Sequence, residues 1–167
     1  RPDRRSATVM PMLPTPAHGA FPSAHATEAF AVATVLSGLL KTLEARPAPQ
    51  RPYPLTDRLI ALLHKQAERI AVNRTVAGVH YPIDSWAGAA LGEAVGEIIL
   101  AKCRGGWAGA REYDAQDIDF RIADFRDPSP GAPSTTHGLK RTPNAFTLAT
   151  SPLFVWLWTK TLDEFKP

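Results

Sequence analysis

From Ser23 onward, apolar residues recur every three or four positions, at Phe30, Val32, Val35, Leu36, Leu39, Leu40 and Leu43, until Arg46-Pro47 ends the run. The spacing predicts a long amphipathic helix over 23–45. Leu59, Leu62, Leu63, Ala67, Ile70 and Val76 form a second such stripe, which predicts a helix over 56–77 with Thr56 as its N-cap. Between the two lies a linker, Ala45 to Pro54, with four prolines in ten residues, long enough for an antiparallel return. A break at Gly78-Val79-His80-Tyr81-Pro82 precedes a third predicted helix over 83–102, closed by Arg104-Gly105-Gly106. Gly88, Gly92 and Gly96 fall four apart on it. In a bilayer such a stripe suggests dimerising spans, but Asp84, Glu93 and Glu97 in the same stretch favour close packing within a bundle.

The flanks read differently. Pro2, Pro11, Pro14, Pro16 and Pro22 break up residues 1–22, so this segment is expected to be a shaped loop without a stable helix. Residues 103–150 are rich in Pro, Gly, Ser and Thr and predict little regular structure, apart from a short alternation at Ile118, Phe120 and Ile122. Ser151-Pro152 opens a last helix over 151–165, with Leu153, Phe154, Trp156, Leu157 and Leu162 as its apolar face. The fold expected is all-α, a helical bundle with long loops, in one domain over 1–167. The chain lacks an initial methionine and opens on an arginine-rich stretch, so it is read as the C-terminal part of a longer protein.

Composition narrows the partners. Apolar residues make up 44% of the chain, enough for one substantial core. The net charge of +3 suits anionic ligands, but the basic residues are scattered rather than gathered into an arm or patch, which argues against nucleic acid. Cys103 is the single cysteine, which excludes an internal disulfide framework and a cysteine-rich zinc site. No uninterrupted apolar run reaches the length of a span. A soluble protein without a membrane span is expected, with periplasm, secretion and cytoplasm equally open. Trp156 and Trp158 are read as helix packing ahead of a membrane-surface or oligomer contact.

Two motifs carry chemistry. In His18-Gly19-Ala20-Phe21-Pro22-Ser23-Ala24-His25 the proline-rich loop turns into the first long helix. Unpaired N–H groups at that helix start, with the Ser23 hydroxyl, can donate to a tetrahedral oxyanion, and His25 can move a proton on one of its oxygens. The bland alternative is a Ser23 N-cap beside a solvent-exposed His25. The second motif, Asn73-Arg74 to His80-Tyr81-Pro82-Ile83-Asp84, joins two helices. Arg74 offers a planar fork for two oxygens, and Asp84 lies four residues after His80, where it can fix that ring's tautomer. Separately, a surface salt bridge, a core histidine and an N-cap would explain these three; together with the first motif they point to one anion site. Asp117 and Asp119, His64 and His137 have no comparable context.

These residues resemble the superfamily of vanadium-dependent haloperoxidases, type 2 phosphatidic acid phosphatases and bacterial class A acid phosphatases. Pro22-Ser23-Ala24-His25 is similar to its Pro-Ser-Gly-His motif, with alanine for glycine. Asn73-Arg74, His80 and Asp84 are similar to its Ser-Arg, five residues, His, three residues, Asp motif, with asparagine for serine. Arg1-Pro2 resembles the Arg-Pro of the remaining motif, whose lysine would precede Arg1, so an upstream fragment or a second subunit is a candidate to complete the site. The resemblance implies that Arg1, Ser23, the Ala24 backbone and Arg74 hold an oxyanion, vanadate or phosphate, with no haem. It implies that His80 bonds the central atom, that His25 serves the opposite side and that Asp84 orients His80. His18 would be an auxiliary or halide-side residue. The leading expectation is a vanadium-dependent haloperoxidase oxidising halide with peroxide. The alternatives are an acid phosphatase acting on a phosphate ester through a phosphohistidine, and a non-catalytic phosphate-binding helical module.

Overall fold

The computed structural model describes residues 1–113 and 139–166. The described chain is mainly helical: α1 (Pro2–Arg5), α2 (Ala24–Glu44), α3 (Thr56–Val76), α4 (Pro82–Arg104), a hairpin of β1 (Gly106–Tyr113) with β2 (Leu139–Leu148), and α5 (Pro152–Asp163). The three long helices fall where the apolar periodicity places them. Short-range chemistry sets their ends. Ser23 caps α2, its hydroxyl accepting the Ala26 N–H at 3.4 Å. Gly78 and Gly105 both take φ of 74°, a backbone that glycine adopts without strain, and so turn the chain out of α3 and α4.

The proline-rich linker reverses the chain through a single 3-10 turn, Ala48–Gln50. α3 therefore runs antiparallel to α2, with Lys41 bonded to Asp57 at 2.7 Å and Ser37 3.5 Å from His64. α4 then runs parallel to α2. The glycine stripe explains how closely they pack: a Cβ at Gly88 would strike the Ser23 carbonyl and Ala26, one at Gly92 the Thr27 carbonyl and Phe30, and one at Gly96 Thr34. The core sits where Ala26, Phe30 and Ala33 of α2 meet Ala67, Ala71 and Val72 of α3 and Ala89 of α4. Small side chains let the backbones approach, and the buried faces are narrower than the apolar stripes. Val32, Leu36, Leu62 and Val76 consequently stay exposed.

Three expectations need correction. Residues 2–5 form a one-turn helix, because Pro2 stands at a helix start, where its missing N–H costs nothing, and Asp3 follows in the first turn. Thr56 is the first helical residue of α3 and the cap position belongs to Leu55. The N-cap of α4 is Tyr81, which disposes of the bland alternative for Asp84; Asp84 sits in the first turn, accepting the Tyr81 N–H at 3.0 Å. Residues 106–113 and 139–148 pair as antiparallel strands, with Gly106 opposite Leu148 and a register shift between Gly109 and Arg111. The alternation at 118–122, together with Asp117, Asp119 and His137, lies outside the described residues.

α2 contains no uninterrupted apolar run of span length, yet with a mean hydropathy of 1.3 it is long and apolar enough to cross a membrane. It is also the helix packed against both α3 and α4. α5 is tied down at both ends: the Ser151 N–H donates to the Lys102 carbonyl at 3.0 Å, and the Arg46 guanidinium donates to the Leu162 and Phe165 carbonyls at 3.0 and 2.8 Å. Arg46 thereby adds a bond to the Leu162 carbonyl, which also accepts the Phe165 N–H, and holds the turn that follows α5.

Candidate active site

Because α3 reverses the chain and α4 restores its direction, the start of α2, the end of α3 and the start of α4 all meet at one end of the bundle. The Ser23 N–H donates to the Asp84 carbonyl at 2.9 Å, which ties the first motif to the second through backbone alone. Met12 donates its N–H to the Ala77 carbonyl at 3.0 Å, and Pro11 lies against Gly78. The proline-rich loop is thus held over the turn that carries His80.

His80 and Asp84 are both buried, each 3% exposed, and His80 Nδ1 lies 3.1 Å from Asp84 Oδ2. An ionised carboxylate only accepts, so Nδ1 carries the proton and donates. On the other side of the ring, Arg1 Nη1 lies 3.1 Å from His80 Nε2, and a guanidinium only donates. Both neighbours therefore select the same tautomer, with its lone pair on Nε2. Asp84 Oδ2 also accepts the Tyr81 N–H, so the carboxylate is itself held by the first turn of α4.

Arg1 is placed by three acceptors: the Val79 carbonyl at 2.8 Å, His80 Nε2, and the Gly19 carbonyl at 3.3 Å. Its Nε is buried with no partner, as is the Nε of Arg74. Leaving charged donors buried and unpaired is expensive unless an anion completes them. Arg1 and Arg74 lie close enough that Arg74 is held below the usual arginine range, first by burial and then by the Arg1 charge.

His25 stands in the first turn of α2, on the same end. Its pKa is lowered from 6.5, first by loss of solvent, then by the Arg74 charge, with smaller downward contributions from His80 and Arg1 and an opposing one from Glu28. The groups that lower it include the other site residues, so His25, although exposed, lies within electrostatic reach of Arg74, His80 and Arg1. Ala24, next to His25, is exposed and at the helix start. Ser23 is fully buried; its hydroxyl accepts a bond as the N-cap and keeps its proton for another acceptor.

His18 lies beside Arg1. Its Nδ1 is 2.8 Å from the Gly19 carbonyl and 3.4 Å from Arg1 Nη2. The carbonyl can only accept, so Nδ1–H donates to it, and His18 and Arg1 share that oxygen rather than bonding each other. The structure thus links Arg1, His18, Ser23, His80 and Asp84 through hydrogen bonds, directly or through the Gly19 carbonyl, and sets His25 and Arg74 within electrostatic reach of them. Sequence reasoning missed the role of Gly19, whose carbonyl holds Arg1, and of the Val79 carbonyl; backbone acceptors leave no mark in residue type. Among the described residues no group of three His, Cys, Asp or Glu is placed to hold a metal cation. His64 is half-buried between α2 and α3 near Ser37, and burial lowers its pKa. The Ser37 hydroxyl donates to the Ala33 carbonyl at 2.7 Å, which leaves His64 no proton to take from it.

With this geometry in place, comparison with protein-family models gives a match to the PAP2 superfamily over residues 1–104. The matched stretch is most of the chain and contains the whole cluster from Arg1 to Asp84, so the chain belongs to that superfamily. No curated protein and no solved structure matches it.

Proposed function

We propose that the chain is a phosphoric monoester hydrolase that works through a phosphohistidine at His80. The observation that carries the reading is the His80 ring, bonded at Nδ1 by Asp84 so that its Nε2 lone pair meets the Arg1 guanidinium, while the Nε groups of Arg1 and of its electrostatic neighbour Arg74 are buried without partners. Membership of the PAP2 superfamily supports phosphatase or haloperoxidase chemistry in general.

In this mechanism the phosphoryl oxygens take the free donors of Arg1, Arg74, the Ser23 hydroxyl and the Ala24 N–H at the start of α2. The incoming anion also takes over the Arg1 Nη1 contact, which uncovers Nε2. His80 Nε2 attacks phosphorus as the bond to the leaving oxygen breaks, and His25 in its protonated form gives that oxygen a proton. Asp84 stabilises the positive charge that develops on the His80 ring. Water then attacks the phosphohistidine, His25 takes its proton, and phosphate leaves with the His80 lone pair restored.

The same donors fit vanadate, a tetrahedral oxyanion of like charge: Arg1, Arg74, Ser23 and Ala24 would hold its oxygens and His80 Nε2 its central atom. Vanadate would supply Lewis-acid activation of peroxide for halide oxidation. The position of His18 beside Arg1 favours keeping this second reading. The two are separated by assaying the purified chain with p-nitrophenyl phosphate, and the vanadate-loaded chain with peroxide, bromide and a phenolic acceptor. Ester hydrolysis that vanadate inhibits supports the first reading. Bromination without hydrolysis replaces it with the second, and phosphate binding without either reaction leaves a non-catalytic anion-binding module.

A further inference from the structure

The lone pair that attacks is itself covered. His80 is 3% exposed, and both of its ring nitrogens have partners, Asp84 Oδ2 on one side and Arg1 Nη1 on the other, each at 3.1 Å. The two hydrogens of Nη1 are divided between consecutive residues: one goes to the Val79 carbonyl at 2.8 Å, the other to the ring of His80. Nη2 reaches the Gly19 carbonyl at 3.3 Å, an oxygen that His18 Nδ1 also holds, at 2.8 Å. Arg1 thus spans from the proline-rich loop to the turn between α3 and α4, with its guanidinium across the nucleophile.

An arginine serving structure alone would have its donors satisfied. Arg1 does not, because its Nε is buried with no partner. In a guanidinium the Nε–H and one Nη2–H run parallel along an edge that Nη1 does not share, and such an edge suits two oxygens of a phosphate. Arg1 therefore presents an oxyanion-binding edge with one part of its guanidinium while another part covers His80. Arg74, whose Nε is likewise buried without a partner, stands within electrostatic reach of it. The covering contact is the one suited to yield, since a neutral ring nitrogen is a poorer acceptor for a cation than a charged phosphoryl oxygen.

We infer that Arg1 is an autoinhibitory guard on His80, released by the oxyanion that Arg1 binds. The inference rests on His80 being the nucleophile and adds how that nucleophile is regulated. An oxyanion engages the edge formed by Nε and Nη2 first. The guanidinium then turns about its bond to the Val79 carbonyl, the shortest of its contacts at 2.8 Å, and the other Nη1 hydrogen leaves His80 Nε2 for an oxygen of the anion. His80 is uncovered only toward the group that moved Arg1. A neutral electrophile offers the guanidinium no charge, leaves Arg1 in place and meets a covered ring.

Diethyl pyrocarbonate, a neutral reagent that acylates an unprotonated imidazole nitrogen, reads the guard without any substrate. The full chain is treated at neutral pH in a buffer free of phosphate and sulfate, and the rate at each histidine is followed by mass spectrometry of its peptides. His25, which is exposed, is the reference within the same molecule. In wild type His80 is expected to react more slowly than His25. Arg1→Ala should raise the His80 rate about tenfold or more, the factor that one charge-assisted hydrogen bond is worth, with the His25 rate and the circular dichroism unchanged. Arg1→Gln, shorter and uncharged, should act in the same direction and guards against misfolding of the first variant. A wild-type His80 that reacts as fast as His25 overturns the proposal, and so does a His80 rate that neither folded variant raises. Hydrolysis of p-nitrophenyl phosphate failing while Arg1 still protects His80 would strike the phosphatase reading and leave the guard; hydrolysis with protection that does not depend on Arg1 would strike the guard alone.

Discussion

The backbone N–H of Ser23 donates to the backbone carbonyl of Asp84 at 2.9 Å, so the residue that caps α2 and the residue that orients His80 are fastened together independently of their side chains. The anion site is consequently part of the packing between α2 and α4, and it depends on the glycine stripe that lets those helices approach. Changes in either should be felt in both.

Gly92→Ala tests that dependence. Its new methyl would strike the Thr27 carbonyl and the Phe30 Cβ, one of them backbone that cannot swing aside, so α4 must move off α2. A loss of about 1–3 kcal/mol of stability is expected, read as a lower urea midpoint, together with weaker phosphate binding at an end of the helix remote from the substitution.

Asp84→Asn keeps the volume and changes the tautomer. An amide in place of the carboxylate can donate to Nδ1 and leave the proton on Nε2, which blocks the attacking lone pair. A fall in kcat of about 10²-fold or more is expected, with KM little altered. An unchanged kcat would show that Asp84 does not act through His80.

The pH profile follows from His25. Its pKa is depressed, first by desolvation and then by Arg74, and it must be protonated to release the leaving group. The rate of ester hydrolysis should therefore fall as pH rises, with a midpoint below 6.5. Arg74→Gln removes one depressing charge, so the midpoint should move up while KM rises. For stability the sign is opposite: the folded chain binds fewer protons on His25 than the unfolded chain, so this group's contribution is present above the unfolded pKa and is lost as pH falls through the folded one.

Arg46→Ala removes two charge-assisted bonds, one from the Leu162 carbonyl in the last turn of α5 and one from the Phe165 carbonyl just past it. Faster hydrogen exchange of the α5 amides is expected, by a factor consistent with about 1–3 kcal/mol of lost protection, with the amides of α4 unaffected.

Much of this was legible in the chain, for physical reasons that particular residues show. Phe30, Leu39 and Leu43 recur at the helical period because one side of α2 must be buried, and the three long helices follow from such stripes. His80 and Asp84 were legible as a pair because a spacing of four puts side chains on one face at a helix start. The hairpin was not legible. Its strands are separated by 25 residues, β2 contains Pro143, and β1 reads Gly-Trp-Ala-Gly-Ala-Arg-Glu-Tyr, so no strong alternation marks a buried face. The exposure of Val32 and Leu36 was hidden as well, since a stripe of apolar residues does not say which of its edges the alanines and glycines of a neighbouring helix will cover. α1 was missed because proline density was weighed without regard to the one helical position that proline favours.

Nuclear magnetic resonance of the histidine side chains during a phosphate titration tests the central claim most directly. If one anion sits between both imidazoles, the ring signals of His25 and His80 will shift together along a single saturation curve, and Arg74→Gln will weaken both by the same factor. Separate curves, or a shift of one ring without the other, would contradict the account.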